Sequence, residues 1–231
     1  MGVSAHEADI RASYDAVASR YAEEFADDLT DKILDRALLA AFAETVRRTT
    51  TGDGSCVADL GCGPGYEARQ LAGLGLDVVG VDLSPAMIAE AQRRNMPHRR
   101  LEFRIGSLLA LPFADAALAG AIAIYSVIHL PREERARAYH EMARVIRPGG
   151  SLLISVHTSG IDFPPGSIRR MEEWWGHTVA LDGHFIDADE VIAGLHDAGF
   201  TIDASLERGP STAREFPGRR AYLLAMRQPT P

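Results

Sequence analysis

V-A-D-L-G-C-G-P-G (residues 57–65) runs from apolar residues into an aspartate, then places glycine at every second position. An apolar strand followed by such a loop predicts a strand–loop–helix unit in which backbone comes close to a ligand near a helix N-terminus. Asp59 is the odd member, because a loop built for phosphate should avoid a carboxylate. The ligand that makes Asp59 useful decides the reading of the chain.

Outward from this stretch the sequence alternates between strand and helix patterns. Cys56–Leu60 predicts a short buried strand, and Pro64–Leu74 a helix opened by its proline and closed near Gly73 and Gly75. Asp77–Val81 predicts a second strand, after which Ser84 and Pro85 supply an N-cap and a first helical residue. Leu101, Phe103 and Ile105 alternate with Glu102 and Arg104, as in a strand with one polar face. Leu118–Tyr125 is almost wholly apolar, as in a central parallel strand covered on both faces. Pro131–Ile146 predicts a helix stopped by R-P-G-G (147–150), and Ser151–His157 a fifth strand. Asp187-x-x-Glu190 resembles a capping box opening a helix through Ala198, with Gly199 as C-cap. Thr201–Glu207 and Ala221–Arg227 predict two strands joined antiparallel at one sheet edge.

Ahead of this core, Ile10, Tyr14, Val17, Tyr21 and Phe25 form one helical apolar stripe. Ile33, Leu34, Ala37, Leu38, Ala41, Phe42 and Val46 form a second. T-T-T-G-D-G-S (49–55) is a loop by composition. Residues 158–186, with Pro164, Pro165, Trp174 and Trp175, break the alternation and predict a lid or substrate-facing insertion. Repeated strand–helix–strand units imply a doubly wound α/β sheet, whose ligands lie at the carboxyl ends of the strands near the topological switch point. Asp59, Asp82, Ser107 and Tyr125 all fall at or just past such ends.

Two ligands compete for the loop. A dinucleotide site wants G-x-G-x-x-G, but the third position here is Tyr66 or Ala68, depending on register. A pyrophosphate would also meet Asp59, a conflict of roughly 4 kcal/mol for charges about 4 Å apart at intermediate dielectric. A cofactor with a cationic end, such as S-adenosylmethionine with its ammonium and sulfonium, removes the conflict. Asp82, 23 positions after Asp59, can accept ribose hydroxyls from either ligand, so Asp59 discriminates and Asp82 does not.

V-A-D-L-G-C-G-P-G, V-V-G-V-D-L-S and A-R-V-I-R-P-G-G, in this order, resemble the successive motifs of the class I S-adenosylmethionine-dependent methyltransferases, closest to the small-molecule and quinone-type group. The resemblance covers residues 56–156 strongly. It extends more weakly to Y-D-A-V-A-S-R-Y in the first helix and A-Y-L-L-A near the end. It implies a Rossmann-like, seven-stranded, mostly parallel sheet with the last strand antiparallel, preceded by N-terminal helices and carrying a lid insertion after strand five. The implied organisation is a single methyltransferase domain over 1–231, with a helical cap (1–48), a cofactor-binding core (56–157) and a lid or substrate insertion (158–186).

Carried over by position, Gly61, Cys62 and Gly63 line the methionine end and Asp59 serves the ammonium. Asp82 holds the ribose, and Leu83 and Met87 flank the adenine. Ser107 and Leu108 follow strand three, where the family often has an aspartate on the adenine amino group; Ser107 stands in its place. Tyr125 ends strand four beside the cofactor. Tyr14 and Tyr21 either close over the cofactor, as aromatic residues of the family do, or belong to the core stripe of their helix.

Methyl transfer is an in-line displacement that needs alignment and, for an acceptor of high pKa, a base. His129, His157 and His184 fall where a base could reach, and each could equally be a hydrogen-bonded rim residue. Trp174 and Trp175 could pack an aromatic acceptor or anchor a lid. The reaction implied is methyl transfer to an oxygen or nitrogen of a small molecule. The alternatives are C-methylation of an aromatic or quinone-like ring, and a non-catalytic cofactor-binding subunit. I-Y-S-V stands where base and glutamine N-methylases carry an N-P-P-Y-like tetrad, which argues against those acceptors.

Composition sets the remaining bounds. The chain has 231 residues, 46% hydrophobic and 24% charged, with a formal net charge of −8. Its acidity disfavours a nucleic-acid partner, and the one basic cluster, Arg93, Arg94, Arg99 and Arg100, reads as a solvated helix end. Cys56 and Cys62 suggest neither a zinc site nor a disulfide framework, so a reducing cytoplasmic setting is expected, with no metal. The first residues show no signal peptide, His6 stands where myristoylation wants Ser or Thr, and no apolar run spans a membrane. A monomer or homodimer acting on a small-molecule acceptor is expected.

Overall fold

In the computed structural model, which describes residues 4–26, 28–49 and 56–229, the run Cys56–Leu60 forms strand β1 inside a seven-stranded sheet. It pairs in parallel with β2 (Asp77–Asp82) on one side and with β4 (Leu118–Ile124) on the other. Beyond β2 lies β3 (Leu101–Ile105), and beyond β4 lies β5 (Ile146–His157), both parallel. The two last strands of the chain are β8 (Phe200–Arg208) and β9 (Arg220–Arg227). β9 enters antiparallel between β5 and β8, giving the order β3-β2-β1-β4-β5-β9-β8. The order reverses between β1 and β4, which makes their carboxyl ends the expected ligand crevice.

Both faces of the sheet are covered, so its central strands are apolar throughout. Val57, Val78 and Ile122 pack under α3 (Ile33–Thr49), α4 (Tyr66–Gly73) and α5 (Pro85–Asn95). Their neighbours Ala58, Val79 and Ala121 pack under α6 (Arg132–Val145) and α7 (Ala188–Asp197). Helix α1 (Ala5–Glu24), followed by the single turn α2 (Asp28–Asp31), lies against α5. The insertion 158–186 contains a two-stranded antiparallel hairpin, β6 (Ile168–Trp174) and β7 (His177–His184), with β7 against α1.

Several boundaries differ from the sequence reading. Helix α4 opens at Tyr66, not Pro64, because Gly65 takes the N-cap with φ 81°, a left-handed conformation suited to glycine. R-P-G-G does not stop a helix and start a loop; it is the first part of β5, beside a register shift in the pairing with β4. Asp187 caps α7 through Asp189 N–H, and Glu190 bonds Arg135 instead of closing a capping box. Ala198 is the C-cap of α7, with Gly199 one residue beyond. Of the loop at 49–55, residues 50–55 lie outside the described residues.

The second helical stripe is turned. The face of α3 that is buried carries Asp35, Leu39, Phe42, Ala43 and Val46, while Ile33 is 73% exposed. Asp35 goes inward because Arg208 reaches it at 2.7 Å and Tyr222 OH donates to it at 2.8 Å. Arg208 also grips Glu215 through both terminal nitrogens, at 2.7 and 2.8 Å, and Arg220 lies 3.2 Å from Glu215. Two carboxylates and two guanidiniums thus neutralise one another inside the junction of α3, β8, β9 and the loop between the last two strands.

Candidate active site

A cavity of about 700 Å³ opens at the carboxyl ends of β1, β2, β4 and β5. Gly61, Cys62, Gly63, Asp82, Leu83 and Met87 line one end; Tyr125, His129, His157 and His184 line the other. Tyr14 and Tyr21 of α1 and Leu108 also reach it. Asp59 and Ser107 do not. Asp59 lies beneath the glycine loop, only 2% exposed, on the α4 side of the sheet.

The glycine loop has already used its donors. Gly61 and Cys62 N–H both donate to Val81 O, at 2.7 and 3.0 Å, and Gly65 N–H donates to Cys62 O at 2.9 Å. Gly63 N–H donates to Asp82 Oδ2 at 2.8 Å, while Asp82 Oδ1 accepts from Ser84 N–H at 2.8 Å. A phosphate would find few donors here. The site is instead acidic. Burial, then Glu67 and Asp82, push Asp59 well above the usual carboxylate range, against an amide hydrogen bond from Ala68, and its Oδ2 is buried without a partner among the described residues. Burial likewise raises Asp82, against amide hydrogen bonds from Ser84, Gly63 and Leu83. Carboxylates in this state gain from a nearby cation, so the residues present fit a cofactor with a cationic end and a diol for Asp82.

The three histidines are differently held. His129, in the 3-10 turn Val127–His129, uses both ring nitrogens: Nδ1 meets Asp182 O at 2.9 Å and Nε2 meets Tyr14 OH at 2.7 Å. A carbonyl only accepts, so Nδ1 carries the proton and Tyr14 donates to Nε2. Burial brings His129 down to about 4 and pushes Tyr14 up. His157 stacks on Tyr125 with ring centroids 4.6 Å apart; burial, with Arg220 second, lowers it to about 3. His184 is half-buried, lowered by burial and by Arg135, and among the described residues its ring makes no hydrogen bond.

Sequence reasoning missed three residues of this cavity, Ser126, Phe216 and Glu7, and left a fourth, Trp174, open between acceptor packing and lid anchor. Ser126 follows Tyr125 and lies against Gly61, and Phe216 stands beside His157 at 5.2 Å. Glu7 is buried at the foot of α1, and Trp174 of the hairpin meets Tyr14 and Tyr21 edge-on, at 6.0 and 5.7 Å. The tryptophan pair was visible as a lid signal; the other three have no local pattern that marks them. Tyr125, with φ 53°, donates a hydrogen bond to Tyr222 OH, which in turn donates one to Asp35.

The two buried histidines make a pH prediction. Their folded values lie below the ordinary 6.5, so between about pH 6.5 and 4 the unfolded chain binds the protons and stability falls as pH falls. Each histidine contributes up to about 1.4 kcal/mol per pH unit in that window. His157→Phe, which keeps the ring stack, should lose melting temperature more slowly than the wild type between pH 7 and 5. Identical slopes would mean that His157 is not held neutral.

Three comparisons bear on the site. A family model described as a methyltransferase domain matches residues 57–150. The chain is 31% identical over 164 residues to the O-methyltransferase rstn1 of Aspergillus nomiae, covering 69% of this chain and 70% of that one. It is 30% identical over 159 residues to the O-methyltransferase cnsE of Penicillium expansum, covering 67% of this chain and 55% of that one. The chain therefore spans little more than half the length of some curated relatives. The magnesium protoporphyrin IX methyltransferase (ChlM) of Synechocystis PCC 6803, solved with bound S-adenosylmethionine, shares the fold with a TM-score of 0.69 at 19% identity, over 99% of this chain and all of that one.

Proposed function

Because this chain belongs to the class I S-adenosylmethionine-dependent methyltransferases, we propose that it transfers the methyl group of that cofactor to an oxygen atom of a small molecule. The observation that carries this reading is a single cavity joining an acidic, donor-poor glycine loop to a wall of aromatic side chains and histidines. The two O-methyltransferase relatives favour oxygen over nitrogen as the acceptor atom. When bound, the cofactor supplies a methyl group already activated by its sulfonium.

The chain supplies placement and a base. Asp82, fixed by Gly63 and Ser84, holds the ribose hydroxyls, and Gly61 to Gly63 present backbone to the methionine end. Asp59, raised by burial below the loop, gains its charge when the cofactor's cationic end comes near. Tyr14, Tyr21 and Trp174 form a roof that excludes water, with the β6–β7 hairpin as the lid. His129 and His157 are neutral and positioned within the wall. Two of the three rings make no hydrogen bond among the described residues: His157 is stacked face to face on Tyr125, whereas His184 is the less buried, and its lowered pKa keeps it unprotonated and able to take the acceptor's hydroxyl proton.

Calorimetric titration with S-adenosylhomocysteine, followed by a radiolabelled methyl-transfer screen over phenols and hydroxy acids, tests the reading; no binding of S-adenosylhomocysteine would end it. For an acceptor found in that screen, His184→Ala should lower kcat by roughly 100-fold, the low end for loss of a general base, with cofactor affinity unchanged. An unchanged kcat would remove His184 from the chemistry.

A further inference from the structure

Glu7 is a buried carboxylate without a cation. It is 6% exposed, it lines the cavity, and no lysine, arginine or histidine pairs with it among the described residues. Its Oε2 accepts from Ser4 N–H at 3.0 Å, completing the N-terminal cap of α1. Its Oε1 accepts from Ser107 Oγ, whose own oxygen accepts from Leu109 N–H at 2.9 Å. The Ser107 hydroxyl proton, the only one that side chain has, is therefore committed to Glu7.

A carboxylate offers about four lone-pair sites, and two protein donors leave Glu7 under-satisfied in a place where that is costly. Its position shows what could complete it. Ile105 pairs with Asp82 across β3 and β2, and Ser107 stands two residues past Ile105. Glu7 is thus one strand outward from the carboxylate assigned to the ribose. The lining of the same cavity includes the apolar side chains of Ile10, Leu83, Met87 and Leu108, from α1, the end of β2, α5 and the segment after β3. A flat, apolar-faced group attached to a diol would fill that surface and present its far edge to Glu7.

We propose that Glu7, reaching in from α1, is the acceptor that reads the exocyclic amino group of the cofactor's purine, and that it selects a 6-amino over a 6-oxo ring. This rests on the reading that the slot takes an adenosyl group. An amino group donates N–H to the carboxylate, whereas a 6-oxo group faces it with lone pairs. Ser107 is a positioning residue: its hydroxyl fixes the rotamer of Glu7.

The test is calorimetry with two ligands, S-adenosylhomocysteine and S-inosylhomocysteine, on wild type, Glu7→Ala and Glu7→Gln. Glutamine can still close the cap, so Glu7→Gln separates recognition from folding of α1. The wild type should prefer the adenosyl ligand by roughly 30- to 100-fold, the scale of a hydrogen bond to a charged group. Glu7→Ala should bring that preference within about threefold, through loss of adenosyl affinity, with the inosyl ligand bound no more weakly than before. In Glu7→Gln the preference should also collapse, since the amide can donate to a 6-oxo group. A wild-type preference persisting in both variants overturns the proposal, as does an equal loss of both ligands, which would mark a structural role. If the wild type fails to bind S-adenosylhomocysteine at all, the adenosyl reading falls and takes this one with it; if it binds, a failure here concerns Glu7 alone.

Discussion

Arg208→Ala should lower the melting temperature by roughly 10 °C, from a loss of about 3–5 kcal/mol when a buried ion pair is broken. The arginine side chain is 10% exposed, and its partners Asp35 and Glu215 are 8% and 0% exposed. Removing the guanidinium leaves Asp35 with only Tyr222 among the described residues, and leaves Glu215 with Arg220 and the Ser211 amide. Burial by itself would raise Glu215; Arg208, the Ser211 amide and Arg220 outweigh it and hold the group at about 2. A depressed carboxylate stabilises the fold above its ordinary range, and that stability is lost as pH falls towards 2. Arg208→Ala should therefore also flatten the acid limb of the stability curve. Arg208→Lys keeps the charge but not the two-pronged grip on Glu215, and should fall between the two. Denaturant unfolding at neutral and acid pH measures both effects. A wild-type midpoint in Arg208→Ala would mean that the cluster contributes nothing net.

Gly61→Ala should weaken S-adenosylhomocysteine binding by roughly 100-fold or more while leaving most of the fold intact. At φ 78° an alanine costs about 1–2 kcal/mol before any contact is considered. Its Cβ would then lie 2.4 Å from Ser126 Cβ, an overlap that a rotamer change cannot relieve because Cβ is the first side-chain atom. Relief must come from moving the glycine loop away from Ser126. That shifts the two N–H bonds to Val81 and the Gly63 bond that orients Asp82. Displacing several contacts with a charged ligand, at about 1.5–3 kcal/mol each, gives the expected loss. Gly63→Ala is the comparison: nothing lies within 4 Å of its added Cβ, so its penalty is the backbone strain alone. Equal ligand affinities for Gly61→Ala and the wild type would show that the close approach to Ser126 does not set the loop.

The central fold was legible in the sequence because its signals are local. Of the five parallel strands, four were located by apolar runs and β3 by alternation of Leu101, Phe103 and Ile105 with Glu102 and Arg104; Ser84 and Pro85 marked the start of α5, and the order of motifs placed Asp82 at a strand end. What stayed hidden depends on partners far along the chain. Asp35 turns α3 by bonding a guanidinium 173 residues away, and Glu7 meets a hydroxyl 100 residues away. Asp59 was read as a ligand contact because its place in the motif is clear, but whether a strand-end side chain points into the crevice or under the loop is settled by which face of the sheet it occupies. The three histidines looked alike as sequence; burial and bonding separate them.

Helix α1 is fastened at both ends of the cavity. On the glycine-loop side, Asp15 accepts from Ser84 Oγ and Ala86 N–H, and Glu7 bonds Ser107. On the histidine side, His6 donates to His129 O, Tyr14 to His129 Nε2, and Ser13 accepts from Ala180 N–H. One helix thus borders both the cofactor and the acceptor positions of the proposed reaction. Whatever ordering of α1 the first ligand imposes is ordering the second need not supply, so the two should bind with positive cooperativity. By linkage the factor is reciprocal: the cofactor tightens the acceptor exactly as much as the acceptor tightens the cofactor.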